Sequence, residues 1–250
     1  MSERGEPQLG GRLRARAVHR VTPGDVGQRV AIRHLAGGDG GPRPTDVVAR
    51  LLGYEGGVLA LVDRSSQLVL VDEDAVIASR VVPPHPRLVA EPADVGTAER
   101  PLDRDAARLV LLDARDRVLL AAHRPRDDRR VWTGPGGGVA PDEDHPTAAR
   151  REAREELGLD VALGPWVWSR DVTFRFAGVH LRQRERWFLA RTDAAVDAAP
   201  LGDPGLEQVR WWTLDELRRT DQWLAPRALP DHVEALLRDG PPPAPVDVGT

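Results

Sequence analysis

Cysteine is absent from this chain, which excludes a disulfide framework and any thiolate metal centre. Lysine is absent too, so all 35 basic side chains are arginine, a bias that points to a GC-rich coding background rather than to a partner. Aromatic residues are scarce and lopsided: Tyr54 is the only one before Trp132. The first hundred residues therefore lack stacking platforms for bases. They also lack a basic stripe, because arginines and acidic residues nearly balance over Met1 to Arg104, and nucleic-acid binding by this half is not expected. Arg12, Arg14, Arg16 and Arg20 form the nearest basic run and read as a solvated tail. No apolar run reaches signal-peptide or membrane-spanning length, so the expectation is a cytoplasmic protein without a membrane partner.

What is present divides the chain. At 250 residues it exceeds one typical domain. Pro83, Pro84, Pro86, Pro92 and Pro101 punctuate a polar stretch of linker composition. The expected division is a flexible N-terminal segment over 1–17, a small all-β barrel over 18–83, a linker over 84–103, an α/β domain over 104–239 and a disordered tail over 240–250. In the first half, Gln28 to Leu35, Asp46 to Leu52, Val58 to Val62, Gln67 to Val71 and Asp74 to Val82 are short β-branched or apolar runs between turns. In the second, Arg108 to Leu112 and Arg117 to Ala122 read as a hairpin, and Val167 to Phe176, Arg184 to Ala190 and Glu207 to Thr213 as strands. Leu214 to Arg219 and Pro230 to Arg238 read as helices.

The densest chemistry lies between Gly137 and Leu159. Gly134, Pro135, Gly136, Gly137 and Gly138 follow a short apolar stretch ending in Val131 and Trp132, and such a backbone can approach a ligand closely. Asp144 supplies a helix N-cap and Gly158 a C-terminal stop. The helix between them carries Glu152, Glu155 and Glu156 on neighbouring positions of one face, where like charges repel unless a cation offsets them. Arg151 can pair with Glu155 at i, i+4, so a solvated charged helix is one reading. A hard divalent cation, which takes carboxylate oxygens and leaves positions for phosphates, is the other.

The spacing resembles the Nudix box: Gly, five residues, Glu, seven residues, Arg-Glu-apolar-any-Glu-Glu-any-Gly-apolar. Gly137, Glu143, Arg151, Glu152, Ala153, Glu155, Glu156, Gly158 and Leu159 fill it without a gap, with Ala153 smaller than the usual aliphatic residue. The resemblance, covering about Asp103 to Leu237, implies an α/β/α sandwich around a mixed sheet. It also implies hydrolysis of a nucleoside diphosphate linked to another moiety, with Mg²⁺ or Mn²⁺ as cofactor. It makes Glu152, Glu155, Glu156 and the Gly137 carbonyl metal ligands, has Arg151 orient the glutamates and Glu143 brace the loop, and offers Glu155, then Glu207, as the base. Bridging cations would neutralise the diphosphate and lower the pKa of a bound water. Many relatives are dimers, and a homodimer stays open. The N-terminal half, ending in Arg80-Val81-Val82-Pro83-Pro84, is similar to SH3-like domains that precede acetyltransferase domains in some actinobacterial proteins, and shows no catalytic constellation.

Substrate contacts fall to Arg124, Arg126, Arg129 and Arg130, which either grip phosphate or form a solvated loop, with Arg124, Arg130, Gly136 and Gly138 the leading candidates. Trp132, Trp166, Trp168, Trp187, Phe174 and Phe176 read as core rather than as stacking platforms. The substrate, whether nucleotide sugar, ADP-ribose or nucleoside di- or triphosphate, is not specified. A competing reading is a nucleotide-sensing domain of the same type coupled to the barrel.

Overall fold

The structure is a computed structural model that describes residues 21–36, 42–64, 67–83, 94–126, 129–194, 196 and 206–249, without the side chains of 124–126 and 129. The segment 1–17 and the stretch 84–93 lie outside the described residues.

Five strands build the N-terminal sheet: β1 (Arg29–Ala36), β2 (Arg43–Glu55), β3 (Val58–Val62), β4 (Leu68–Asp72) and β5 (Val76–Val81). They run antiparallel in the order β4-β3-β2-β1-β5. Gly56 and Gly57, with φ of 61° and 73°, make the two-residue turn joining β2 to β3, a geometry that suits the twist of the strands it connects. Leu59 and Leu61 close a core with Val21, Val30, Ile32, Ala49, Leu51 and Val71, as expected of a small barrel. The intervening Ala60 and Val62 are also buried. Val58–Val62 is an unbroken apolar run rather than an alternating one because both of its faces are covered.

The second half contains β6 (Leu102–Leu112), β7 (Val118–Arg126), β8 (Arg129–Thr133), β9 (Gly136–Gly138), α1 (His145–Leu157), β10 (Leu163–Phe176), β11 (Val179–Arg191), β12 (Leu206–Trp212), α2 (Leu214–Arg219), β13 (Trp223–Leu224), α3 (Leu229–Asp239) and β14 (Val246–Asp247). The sheet follows the path β13-β8-β7-β6-β11-β10-β14, with β12 on β7 and β9 on β6. It is mixed, since β6 and β11 pair in parallel and β10 and β11 antiparallel. Period-two alternation along β6 sorts the two faces. Ala107, Leu109 and Leu111 pack with Ala148, Ala149, Ala153 and Leu157 of α1. Val110 and Leu112 pack with Leu217 of α2 and Leu229, Val233 and Leu236 of α3. The result is the expected α/β/α sandwich, and the small Ala153 lets α1 lie close on the sheet.

Two expectations change. The tail is ordered through Gly249: Trp168 and Ser169 of β10 pair in parallel with Val246 and Asp247, Val248 is buried in the core, and Arg170 Nε donates to the Gly249 carbonyl at 3.0 Å. Proline-rich composition hid one apolar anchor and a strand edge in need of partners. The linker also ends early. Val95 is packed, His180 N donates to Gly96 O at 2.7 Å, and β6 starts at Leu102.

The halves meet along an apolar seam. Leu52, Ala60, Val62, Leu68 and Leu70 of the first sheet pack with Leu102, Phe174, Phe176, Val179 and Leu181. Gly53 approaches so closely that a Cβ would stand 2.0 Å from Ala177 O. Arg175 and Glu55 pair at the exposed rim at 2.7 Å. Phe174 and Phe176 thus bind the two sheets together, while Trp132, Trp168 and Trp187 are buried in the core.

Candidate active site

The site begins where β8 hands over to β9. Gly134 has no room for a side chain, since a Cβ would meet Leu109 O and the Trp187 ring, both at 2.4 Å. Gly136 has φ of 138°, a conformation that glycine alone adopts readily, and a Cβ there would lie 2.2 Å from Ala107 O. The stretch expected to be a loop is in part a strand: Gly136, Gly137 and Gly138 pair with Arg108, Ala107 and Ala106 of β6. Close approach, more than positive φ, explains the glycines.

Helix α1 then faces this strand. Thr147 N donates to Asp144 Oδ1 at 2.8 Å, the expected N-cap, and Gly158 stops the helix in the left-handed region with φ of 66°. Glu156, 1 % exposed, accepts from Gly136 N at 2.8 Å. Glu152, 7 % exposed, lies against Gly137. Glu155 is half exposed. Buried carboxylates are costly unless partnered; Glu156 has the Gly136 N–H, and the partner of Glu152 is Arg151. Its guanidinium donates to Glu152 Oε1 at 2.7 Å, Glu155 Oε2 at 2.9 Å, both oxygens of Glu143 at 3.1 and 3.0 Å, and Gly138 O at 2.8 Å. Burial would lower the Arg151 pKa, yet the hydrogen bond to Glu143 and the charges of Glu152 and Glu155 hold it well above the usual arginine range. Burial likewise pushes Glu143 up, and Arg151 together with the Ala140 N–H bring it below the ordinary carboxylate value. Glu143 closes the turn before the helix by accepting from Ala140 N at 3.2 Å.

Below the strand lies a second polar cluster that sequence reasoning missed. Arg108, on the face of β6 opposite α1, donates from Nη1 to Gly134 O at 2.9 Å and Gly136 O at 3.2 Å, and from Nε to Glu185 Oε1 at 2.9 Å. Glu185 also accepts from Gln183 Nε2 at 2.6 Å and Trp187 Nε1 at 3.0 Å, and Arg170 stands 3.5 Å away. Burial raises the Glu185 pKa, but the charges of Arg108 and Arg170 bring it below its usual value. The available signal was period two along Gln183, Glu185 and Trp187, which places polar groups at the buried positions of β11.

The chain matches the NUDIX domain model over residues 102–232. It belongs to the Nudix family. It is 30% identical over 127 residues to the RNA pyrophosphohydrolase of Rickettsia conorii, an alignment covering 46% of this chain and 77% of that one. To the CTP pyrophosphohydrolase of Escherichia coli it is 41% identical over 70 residues, 26% of this chain and about half (52%) of that protein. Among solved structures, the MutT protein of Methanosarcina mazei aligns with a TM-score of 0.44 at 20% identity, covering 57% of this chain and 98% of that one. This Nudix protein is an enzyme of the pyrophosphohydrolase class.

Within the Nudix domain the other candidates are dispersed. Glu207 on β12 and Arg130 on β8 bond to each other at 3.1 Å, and among the described residues neither bonds to the box helix. Arg130 lines an open cleft of about 510 Å³ with Trp132, Gln208, Arg210, Trp212 and Gln222. The side chains of Arg124, Arg126 and Arg129 lie outside the described residues. No three carboxylate or imidazole groups among the described residues converge as a ready-made cation cage; Arg151 bridges Glu152 and Glu155 instead. The donor set itself fits a hard divalent cation: three carboxylates, two of them buried against a glycine strand with room for nothing larger.

Proposed function

We propose that the chain hydrolyses the diphosphate bond of a nucleoside diphosphate derivative with Mg²⁺ or Mn²⁺, held by Glu152, Glu155, Glu156 and the Gly137 carbonyl. The observation that carries this reading is the face-to-face arrangement of Glu152 on Gly137 and Glu156 on Gly136 N. When bound, the cation supplies charge neutralisation at the diphosphate and a more acidic water. The residues do the rest. Glu156 is fixed by a backbone N–H, so its carboxylate enters the site already oriented. Arg151 carries the charge that offsets Glu152 and Glu155 and, through Glu143, ties the helix to the preceding turn. Glu155 is the most exposed of the three and is our first choice for accepting a proton from the attacking water, with Glu207 second. Arg130, Gly136 and Gly138 would contact the phosphates.

The substrate panel should contain nucleotide sugars, ADP-ribose, nucleoside di- and triphosphates and, given the name of the Rickettsia relative, an oligoribonucleotide with a 5′ di- or triphosphate. Turnover is read as phosphate released after phosphatase coupling with Mg²⁺ and with Mn²⁺. Glu155→Gln and Glu156→Gln should lose most turnover while keeping the circular dichroism of the parent. Wild-type rates in both variants would remove these residues from the mechanism. Tight nucleotide binding without product, seen by calorimetry and chromatography, would instead favour a sensing domain whose state reaches the first sheet across the apolar seam.

A further inference from the structure

We infer that Arg108, held by Glu185, is a positioning residue for the metal-binding strand, an inference that rests on the cation reading just proposed. The hydrogen bonds of Arg108 point inward: two go to the carbonyls of Gly134 and Gly136 and one to Glu185. The side chain is about one-tenth exposed, so it is not a spare cation waiting for phosphate. Its partner is fixed in turn, because Glu185 accepts from Gln183 and Trp187 as well, and Trp187 packs against the position where Gly134 would carry a Cβ.

The geometry gives this anchoring a direction. Fixing the Gly134 and Gly136 carbonyls from the α3 side of the sheet sets the peptide planes of the strand. Those planes decide where the Gly136 N–H, the anchor of Glu156, and Gly137, the seat of Glu152, meet the α1 side. The glycine strand is thus clamped between a buried cation on one face and two buried carboxylates on the other. Supporting groups of this kind, one bond removed from the ligands, typically change metal affinity by about 10- to 100-fold when removed.

The test uses the full chain and Mn²⁺ as probe, titrated by electron paramagnetic resonance. Arg108→Met combined with Glu185→Gln removes the Arg108–Glu185 ion pair as a unit, leaves Arg170 its bond to the Gly249 carbonyl, and keeps at position 185 a side-chain amide that can still accept from Trp187 and Arg170. The expected result is a folded protein whose Mn²⁺ affinity falls about 10- to 100-fold. Val233→Ala, a core change in α3, serves as a destabilised control and should keep wild-type affinity. A folded double variant with wild-type affinity overturns the inference. If that variant fails to fold, Arg108→Lys carries the same titration: it keeps the charge but has one nitrogen to serve Glu185 and both glycine carbonyls, where arginine uses Nε and Nη1, and undiminished affinity overturns the inference. A wild-type protein that binds no Mn²⁺ sinks the metal reading instead. Hydrogen exchange of the Gly134–Gly138 amides then decides without metal: faster exchange in the variant supports the anchoring role, and unchanged exchange overturns it.

Discussion

Gly137 and Glu152 touch so closely that a Cβ on the glycine would lie 2.4 Å from Oε1 and 2.6 Å from Cδ of the glutamate. Gly137 does not have a positive φ, so any cost of a side chain here comes from contact and not from backbone strain. Gly137→Ala is therefore expected to push the Glu152 carboxylate away from the strand while sparing the fold. Mn²⁺ affinity and turnover should drop by about 10- to 100-fold, with a melting temperature within a few degrees of the parent. Calorimetric metal titration and thermal melts check both halves of that statement.

The seam between the sheets makes Leu181 a shared core residue, with no exposed surface. Leu181→Ala should cost roughly 2–5 kcal/mol. All seven tryptophans lie from Trp132 onward, so tryptophan fluorescence reports only the second half and circular dichroism reports both. Coincident transitions by the two probes are expected for the parent protein. Separate transitions would mean that the seam does not join the halves.

Asp113 organises the β6–β7 turn by accepting from Arg115 N at 2.9 Å, Arg117 N at 2.8 Å and Arg117 Nε at 2.7 Å. Burial pushes this carboxyl up, but the backbone and side-chain bonds of Arg117 and the Arg115 N–H hold it below the usual aspartate value. A depressed folded-state pKa contributes stability that is present above the unfolded value, near ~3.9, and is lost as pH falls through the folded one. Lowering the pH from about 5 toward about 3 should thus destabilise the parent more than Asp113→Asn, which has already lost the ionised form. Urea midpoints across that range measure the difference, and parallel pH profiles would refute it.

Removing residues 246–250 should uncover the Trp168–Ser169 edge of β10 and leave Arg170 Nε without the Gly249 carbonyl. A loss of about 1–3 kcal/mol is expected for the one unpaired buried group, to which the lost burial of Val248 adds, read as a lower denaturant midpoint. An unchanged midpoint would show that the strap is dispensable.

Local signals carried most of the architecture. Turn glycines, alternating runs and the Asp144 and Gly158 caps placed the strands of the first sheet and the box helix, because each of these depends on neighbours a few residues away. What stayed hidden depends on distant partners. The Arg108–Glu185 pair spans 77 positions, and only the parallel register of β6 with β11, which sets Arg108 opposite Trp187, brings Glu185 within its reach. The ordered tail was masked by its prolines, and β9 by its glycines. Both segments are short strands defined by the edge that receives them rather than by their own propensity.

The seam has a consequence for how such a protein can be divided. Severing the chain before Leu102 would strip Phe174, Phe176, Val179 and Leu181 of their cover and present a greasy hairpin tip to water. A fragment cut there should therefore be prone to self-association, and an assay of the excised catalytic part would report on an altered surface. The N-terminal sheet is better regarded as one wall of the enzyme than as an appendage to it.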